Sequence, residues 1–324
     1  MSILLTGGLG YIGSHIASKL KEKAIVIDNQ SNSHLNYKKK IPFSKVYNLN
    51  LNYKNLQKIF SKHSITGVIH LAGLKAVNES TKLPLQYYRN NVYSTLELLE
   101  CMDKYKIKKL IFSSSATVYG DQHRSPLKEN FALNSTNPYA STKIVIEQMI
   151  KDFTNSKSNF KAISLRYFNP LGVDVEKGLV EQPLGKPQNI MPVLMRALKD
   201  NKKFQIFGND YNTPDGTCIR DYIHVEDLAE AHLIALKKLS KMKDYNVINL
   251  GLGKGISILK FIKIFEKTNK VSINYVFSKR RKGDVAISFA DTQKSKKILG
   301  WKPKYSYEKM MRDSWQSFLI NQDD

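Results

Sequence analysis

The chain has 324 residues, 42% of them hydrophobic, enough for one large or two modest domains with a full core. Its apolar runs fall short of the ~18 residues a membrane helix needs, and with a strand-like run opening at Ser2 no signal peptide is expected. A formal charge of +23 raises a nucleic-acid reading, but only eight of the 51 basic residues are arginine, and a chain-wide lysine bias accounts for the excess better than a recognition surface does.

Cys101 and Cys218 are the only cysteines, in no metal-type spacing. So few thiols fit a reducing cytoplasm, and a cytoplasmic location is expected. The seven histidines show no ligand spacing. His70 reads as a satisfied core residue, and no metal is expected. Lys38-Lys39-Lys40 reads as a solvated loop.

Ser2-Ile3-Leu4-Leu5-Thr6 reads as a short buried strand. Gly7-Gly8-Leu9-Gly10-Tyr11-Ile12-Gly13 follows at once, then a helical run from Ser14 to Lys23. Glycines at 7, 10 and 13 allow a tight turn and let the backbone approach a pyrophosphate at the helix N-terminus. A second strand, Ala24–Asp28, ends in an acid 21 positions after Gly7. A carboxylate at that distance bonds ribose hydroxyls. It would repel a 2′-phosphate, so NAD is favoured over NADP. A lone glycine motif is weak, but strand, loop, helix, strand and acid in order is a strong signal.

Further strands are predicted at Lys45–Leu49, Gly67–Leu71, Lys109–Ser113 and Ala162–Leu165. Helices are predicted at Leu51–Lys62, Pro84–Lys104 and Pro138–Asp152. This alternation predicts an α/β fold with a doubly wound parallel sheet, a Rossmann-type NAD-binding domain over residues 1–168. The helix after Pro84 carries Val92, Leu96 and Leu99, a face that suits a partner subunit as well as the sheet. Prolines at 170, 183, 187, 192 and 214 then break the pattern. A smaller α/β substrate-binding domain is expected over 169–324, with segments such as 215–250 returning to the first. It carries strands at Phe204–Phe207, Val247–Leu250 and Ser272–Phe277, and helices at Val225–Leu239, Ser257–Thr268 and Ser306–Leu319.

Tyr139-Ala-Ser-Thr-Lys143 lies in the helix predicted after Pro138, where positions four apart share one face. A free phenol, with a pKa near ~10, is a poor base at neutral pH. A fixed ammonium beside it favours the phenolate, and a positively charged cofactor ring would add to the effect. The pair marks a proton-transfer site, although by itself it also fits an amphipathic surface helix.

Thr6–Gly13, Ser113-Ser114-Ser115-Ala116-Thr117-Val118-Tyr119-Gly120 and Tyr139-x-x-x-Lys143 together resemble the extended short-chain dehydrogenase/reductase family. His70–Val77, Arg166-Tyr167-Phe168-Asn169-Pro170 and Asp215–Val225 resemble, more narrowly, its UDP-glucose 4-epimerase group. The likeness runs from Met1 to about Trp315. It implies reversible inversion at C4 between UDP-glucose and UDP-galactose, in galactose metabolism. Tyr139 would take the 4-hydroxyl proton, the C4 hydride would pass to bound NAD, and the 4-keto sugar would receive it back on its other face. Lys143 would bond the nicotinamide ribose and hold Tyr139 ionised. Ser115 would bond the 4-oxygen, while Ser113 and Ser114 read as merely ending their strand.

The resemblance also assigns binding residues. Gly7, Gly10, Tyr11, Ile12 and Gly13 would meet the pyrophosphate. Asp28, Asn29, Asn32, Ser33, Asn50 and Leu51 would surround the adenosine. Leu71, Ala72, Gly73 and Lys75 would lie along the pyrophosphate and ribose, and Asn90 and Phe168 would reach the cofactor. Asn169, Asn189, Ile190, Arg220, Arg281 and Asp284 would hold the UDP, whose diphosphate suits forked guanidinium donors. This gives Lys279-Arg280-Arg281-Lys282 a substrate role. Gln205 and Phe207 would flank the uracil. A homodimer through the Pro84–Lys104 and Pro138–Asp152 helices is expected, with no specific nucleic acid and no membrane as partner.

Two departures stand out. Asn50 takes the place of a common aspartate, and its amide oxygen can still accept a bond. Ser288 replaces a tyrosine that restricts the sugar pocket in some members, so activity on UDP-N-acetylglucosamine is expected as well. A 4,6-dehydratase on the same fold would place Asp-Glu after the threonine, but Thr117 is followed by Val118-Tyr119. A uronate 4-epimerase remains a close alternative. A non-catalytic NAD-sensing or nucleic-acid-binding relative is the alternative from another class, against which the intact Ser115, Tyr139 and Lys143 argue.

Overall fold

The computed structural model describes residues 2–33, 36–42, 44–185, 187–281 and 283–320. Seven parallel strands form the main sheet: β1 (Ser2–Thr6), β2 (Ala24–Asp28), β3 (Lys45–Asn48), β4 (Ile65–His70), β5 (Lys109–Ser115), β6 (Lys161–Tyr167) and, from much later in the chain, β11 (Tyr245–Leu250). Their order is β11-β6-β5-β4-β1-β2-β3. The direction of winding reverses between β1 and β4, the switch point at which such sheets bind ligands.

Both faces of the sheet are covered, so the strands read as continuous Ile/Val/Leu runs. Leu5, Val26, Ile69, Ile111, Ile163 and Ile248 face one side, against α1 (Tyr11–Leu20) and α9 (Val225–Lys238). Leu4, Ile25, Val68, Leu110, Phe112 and Ala162 face the other, against α3 (Tyr53–Lys62), α6 (Ser94–Lys104) and α7 (Pro138–Ser156). Side-chain caps set two helix starts. Asn52 accepts from Asn55 N at 2.9 Å, so α3 begins at Tyr53 and not at Leu51, and Asn137 accepts from Ala140 N at 2.9 Å ahead of Pro138.

The stretch predicted as one helix over Pro84–Lys104 is divided. α5 (Pro84–Tyr87) leads into a π-helical stretch, Tyr88–Tyr93, and then α6. Its three apolar residues part company: Leu99 is buried in the core, Val92 packs against it, and Leu96 is 42% exposed. Two short helices went unpredicted, α2 (Asn36–Lys40) and α4 (Val77–Lys82). The lysine run expected as a solvated loop is thus helical, and Lys40 Nζ donates to the Gly178 carbonyl at 2.6 Å.

The smaller half holds α8 (Ile190–Lys199), α10 (Ile258–Asn269) and α11 (Tyr307–Ile320) around a core that includes Leu194, Phe261, Phe265 and Met310. α8 is the main omission of the sequence reading. Its Pro192 lies in the first turn, where a missing N–H leaves no bond unmade. Three small sheets complete this half: β7 (Asn169–Leu171) with β10 (Tyr222–His224), β8 (Phe204–Phe207) with β13 (Tyr275–Ser278), and β9 (Ile219–Arg220) between β12 (Ile256–Ser257) and β14 (Ile287–Ser288). Among the described residues no helix is long and apolar enough to cross a membrane, and no group of three or more His, Cys, Asp or Glu is placed to hold a metal ion.

Candidate active site

Close approach explains the loop after β1. A Cβ on Gly13 would stand 2.3 Å from the Gly7 carbonyl oxygen, and one on Gly7 (φ +69°) 2.8 Å from Ala72 N. A Cβ on Gly10 would meet only the Gly7 oxygen, at 3.3 Å. Gly7 and Gly13 are therefore required by packing, while Gly10 leaves an open face at the start of α1. The first-turn N–H groups of Tyr11, Ile12 and Gly13 have no partner within the helix and suit a pyrophosphate. The Tyr11 side chain turns away from that face and donates to the Gly172 carbonyl, and burial pushes its phenol well above the usual value. Ile12 packs at the edge of the core.

Asp28 ends β2. One carboxylate oxygen accepts from Leu9 N at 2.9 Å, and the other from Gln30 N at 2.8 Å and Ser33 Oγ at 3.3 Å. Asn29 donates to Asn50 Oδ1 at 3.0 Å, so the amide at 50 does accept a bond. Leu51 follows it against the core. Asn32 accepts from Leu184 N at 3.3 Å. After β4, Leu71 N donates to the Thr6 carbonyl at 3.1 Å and Ala72 N to the Thr6 hydroxyl at 3.2 Å, and Gly73 adopts φ +156°. An open glycine at a helix N-terminus, free first-turn donors and an acid at the end of the next strand together fit a dinucleotide.

Asn90 is exposed. Its neighbour Asn91 is buried and was missed: it accepts from Leu74 N at 2.8 Å and donates to the Leu74 carbonyl at 3.0 Å and to Thr142 Oγ1 at 3.2 Å. It thus ties the loop carrying Ala72, Gly73 and Lys75 to α7. Two adjacent asparagines cannot be told apart until the helix phase is known. Phe168 is buried with Val118, Tyr119, Leu127 and Ala290.

The carboxyl end of β5 meets the first turns of α7. Lys143, 5% exposed, donates Nζ to the Ser113 carbonyl at 2.7 Å and lies 5.7 Å from the centroid of the Tyr139 ring. Ser115 Oγ accepts from Thr117 N at 3.2 Å and Thr117 Oγ1 at 3.0 Å, and stands beside the Tyr139 hydroxyl. Burial pushes the Tyr139 phenol up to about 12, against the pull of Ser115. Burial likewise pushes Lys143 down to about 8, against the pull of Glu147. With no cofactor bound, burial thus outweighs the pull of Ser115 on the phenol, and the charge of a cofactor ring is left to supply the rest. Ser114 also departs from its expected role: its hydroxyl donates to Glu147 at 2.5 Å. His70 is a core residue, bonded to Thr6 Oγ1 at 2.7 Å and Thr95 Oγ1 at 2.9 Å, and burial pushes it down to about 3.

The other wall comes from the smaller half. Arg281 lies 4.5 Å from the centroid of the Phe207 ring and pairs with Asp284 at 3.2 Å, and Arg220 approaches the same carboxylate at 3.7 Å. Ser288 pairs in register with Arg220, and Gln205 stands exposed on β8. Asn169 Nδ2 donates to the Asp221 carbonyl at 2.9 Å. The Asp221 carboxylate is buried, takes three backbone N–H bonds, and is pushed up by that burial to about 7. Arg280 stands apart, on Asp210 at 2.7 Å and over Tyr211, so the basic run contributes Arg281 to this cluster; Lys282 lies outside the described residues. Asn189, just ahead of Ile190 at the start of α8, donates to Glu181 Oε1 at 2.6 Å, and Lys75 Nζ meets the same oxygen at 2.9 Å. Glu181 thus joins Lys75, after β4 of the main sheet, to Asn189 of the smaller half, and no motif marks it in the sequence.

Residues 3–251 match the model of the NAD dependent epimerase/dehydratase family. The chain is 46% identical to the UDP-glucose 4-epimerase of Dictyostelium discoideum, over 98% of this chain and 96% of that one. It superposes with a TM-score of 0.92 on the UDP-glucose 4-epimerase of Bifidobacterium longum in complex with NAD+ and UDP, at 39% identity, covering 100% of this chain and 99% of the other. The Stenotrophomonas maltophila UDP-glucose-4-epimerase with bound NAD and formylated UDP-arabinopyranose gives a TM-score of 0.95 at 36% identity, covering 100% and 99%. Sheet order, glycine loop and full-length likeness agree, and the chain belongs to the NAD-dependent epimerase/dehydratase family.

Proposed function

We propose that the protein reversibly inverts C4 of UDP-glucose and UDP-galactose through a transient 4-keto sugar. One observation carries the reading: a dinucleotide-type glycine loop and the Ser115, Tyr139 and Lys143 side chains stand at the carboxyl ends of strands of one parallel sheet. When bound, NAD supplies a reversible acceptor for the C4 hydrogen. Tyr139 moves the proton at the sugar 4-oxygen. Ser115 bridges, since a hydroxyl donates and accepts in turn. Lys143 supplies fixed positive charge, which together with a cationic nicotinamide lowers the phenol from its buried value. Asn169, Asn189, Arg220 and Arg281 hold the diphosphate and ribose, while Gln205 and Phe207 flank the uracil. Net redox is zero, so the cofactor stays bound through turnover.

Ser288 supports a second substrate, UDP-N-acetylglucosamine, because a small side chain there leaves space at the C2 substituent. Leu83, Leu85, Tyr88, Tyr93, Leu96 and Val145 are exposed on the α5–α6 stretch and α7, an apolar face that suits a second copy of the chain. A homodimer in the cytoplasm is the proposed working form.

The test is incubation of the purified protein with UDP-galactose, without added NAD, and separation of the products. UDP-glucose is expected. No product, even after NAD is supplied, would overturn the substrate assignment.

A further inference from the structure

Three consecutive residues of β5 are tied to three residues of α7 spaced at i, i+4 and i+8, which share one helix face. The Ser113 carbonyl takes the Lys143 ammonium at 2.7 Å, the Ser114 hydroxyl donates to Glu147 Oε1 at 2.5 Å, and Ser115 stands beside the Tyr139 hydroxyl. Glu147, 4% exposed, is in turn gripped by Arg166 of β6, with Nε on Oε1 at 2.9 Å and Nη2 on Oε2 at 2.5 Å. Arg166 is held by the Tyr119 hydroxyl at 3.1 Å and the Glu129 carbonyl at 3.3 Å. A buried carboxylate with this many bonds is fixed in place, and leaving either ion unpaired is costly.

We propose that Glu147, clamped by Arg166, is a positioning residue that keeps Lys143 protonated and keeps α7 in register with β5, so that Tyr139 and Ser115 stay paired; this rests on the catalytic reading of Ser115, Tyr139 and Lys143. The surroundings of Lys143 leave no other source for the effect. Its own helix presents Tyr139 and Glu147. β5 presents the Phe112 ring, at 4.8 Å from Nζ to the centroid, and the Ser113 carbonyl. β4 presents His70, which stays neutral. β6 presents Tyr167, which meets the Ser113 hydroxyl, and Arg166, a second cation beyond Glu147. Tyr245 of β11 lies on the far side of Glu147 and bonds Ser164 at 2.9 Å. Among these groups Glu147 is the one anion. Burial opposes the ammonium and Glu147 opposes burial.

Two variants and a control test this. Glu147→Gln keeps the shape and removes the charge. Glu147→Leu with Arg166→Met replaces both ions by apolar groups of similar volume, an exchange that folded proteins tolerate. In each, the alkaline limb of the kcat/KM profile for UDP-galactose should move to lower pH, by about one unit in Glu147→Gln, with KM at the optimum little changed. A second readout is tyrosinate absorbance of the NAD-bound protein, taken as the difference between each variant and its Tyr139→Phe counterpart; the Tyr139 phenol should ionise at higher pH than in the NAD-bound parent. A folded double variant with the parent profile and the parent tyrosinate titration overturns the proposal if Lys143→Met has abolished turnover. If Lys143→Met retains turnover, the catalytic reading fails first and takes the proposal with it.

Discussion

Lys143 delivers its ammonium to the main-chain oxygen of Ser113, in a site from which water is excluded, so its charge is held at a cost to the fold. Burial lowers the pH at which the folded chain gives up this proton to about 8, from the 10.5 of a free lysine. Between those values the unfolded chain binds more protons, so stability rises with pH there, and below 8 the full penalty remains. Lys143→Met should therefore raise stability at neutral pH by ~1–3 kcal/mol while abolishing turnover. Calorimetry across the alkaline range checks the sign: the gain should shrink as pH rises.

Tyr139→Phe removes one oxygen from the reacting centre and leaves the glycine loop intact. Turnover should fall by about 10²–10⁴-fold. The amount of NAD released on denaturing the purified protein should match the parent. Undiminished turnover would refute Tyr139 as the proton-transfer group.

The loop glycines should fail in different ways. Gly13→Ala drives a methyl into the Gly7 carbonyl and should cost ~1–3 kcal/mol or prevent folding. Gly10→Ala should fold with a near-parent melting temperature but lose NAD affinity, because its methyl occupies the open face. Equal behaviour of the two in melting and NAD content would contradict the geometry.

Ser288→Tyr should abolish turnover of UDP-N-acetylglucosamine and leave that of UDP-galactose within a fewfold of the parent. Ser288 pairs with Arg220 in the register of β14 and β9, so the substitution acts beside the residues assigned to the diphosphate. Parallel assays of the two sugars decide it.

Leu85 is 81% exposed at the start of the long helical stretch. If the proposed dimer forms through this face, Leu85→Glu should give a monomer in sedimentation velocity, with little change in secondary structure. A parent protein that sediments as a monomer would remove the premise.

What could be read in advance was what is local. The first strand, the loop, the helix, the second strand and Asp28 are consecutive, and each constrains the next. Tyr139 and Lys143 share a helical turn. Glu181 could not be read, since it meets Lys75 from 106 positions away, and neither could the turn of Ser114 toward Glu147, which depends on how β5 seats against α7. α8 was hidden by Pro192, whose penalty vanishes in a first turn. The division of Pro84–Lys104 by a π-helical stretch could not be read from hydrophobic periodicity, because the six residues Tyr88–Tyr93 are too few to define a period.

The last strand of the main sheet, β11, comes 78 residues after the end of β6, the strand it pairs with, and α9, which covers α1, lies in the same late stretch. A chain emerging from the ribosome therefore displays β6 as a bare edge and α1 with an uncovered apolar flank until about residue 250 is free. Long-range closures of this kind are slow and leave adhesive surfaces exposed. The cofactor-binding half, cut off at its apparent boundary near residue 168, would keep those surfaces permanently and should aggregate instead of folding alone.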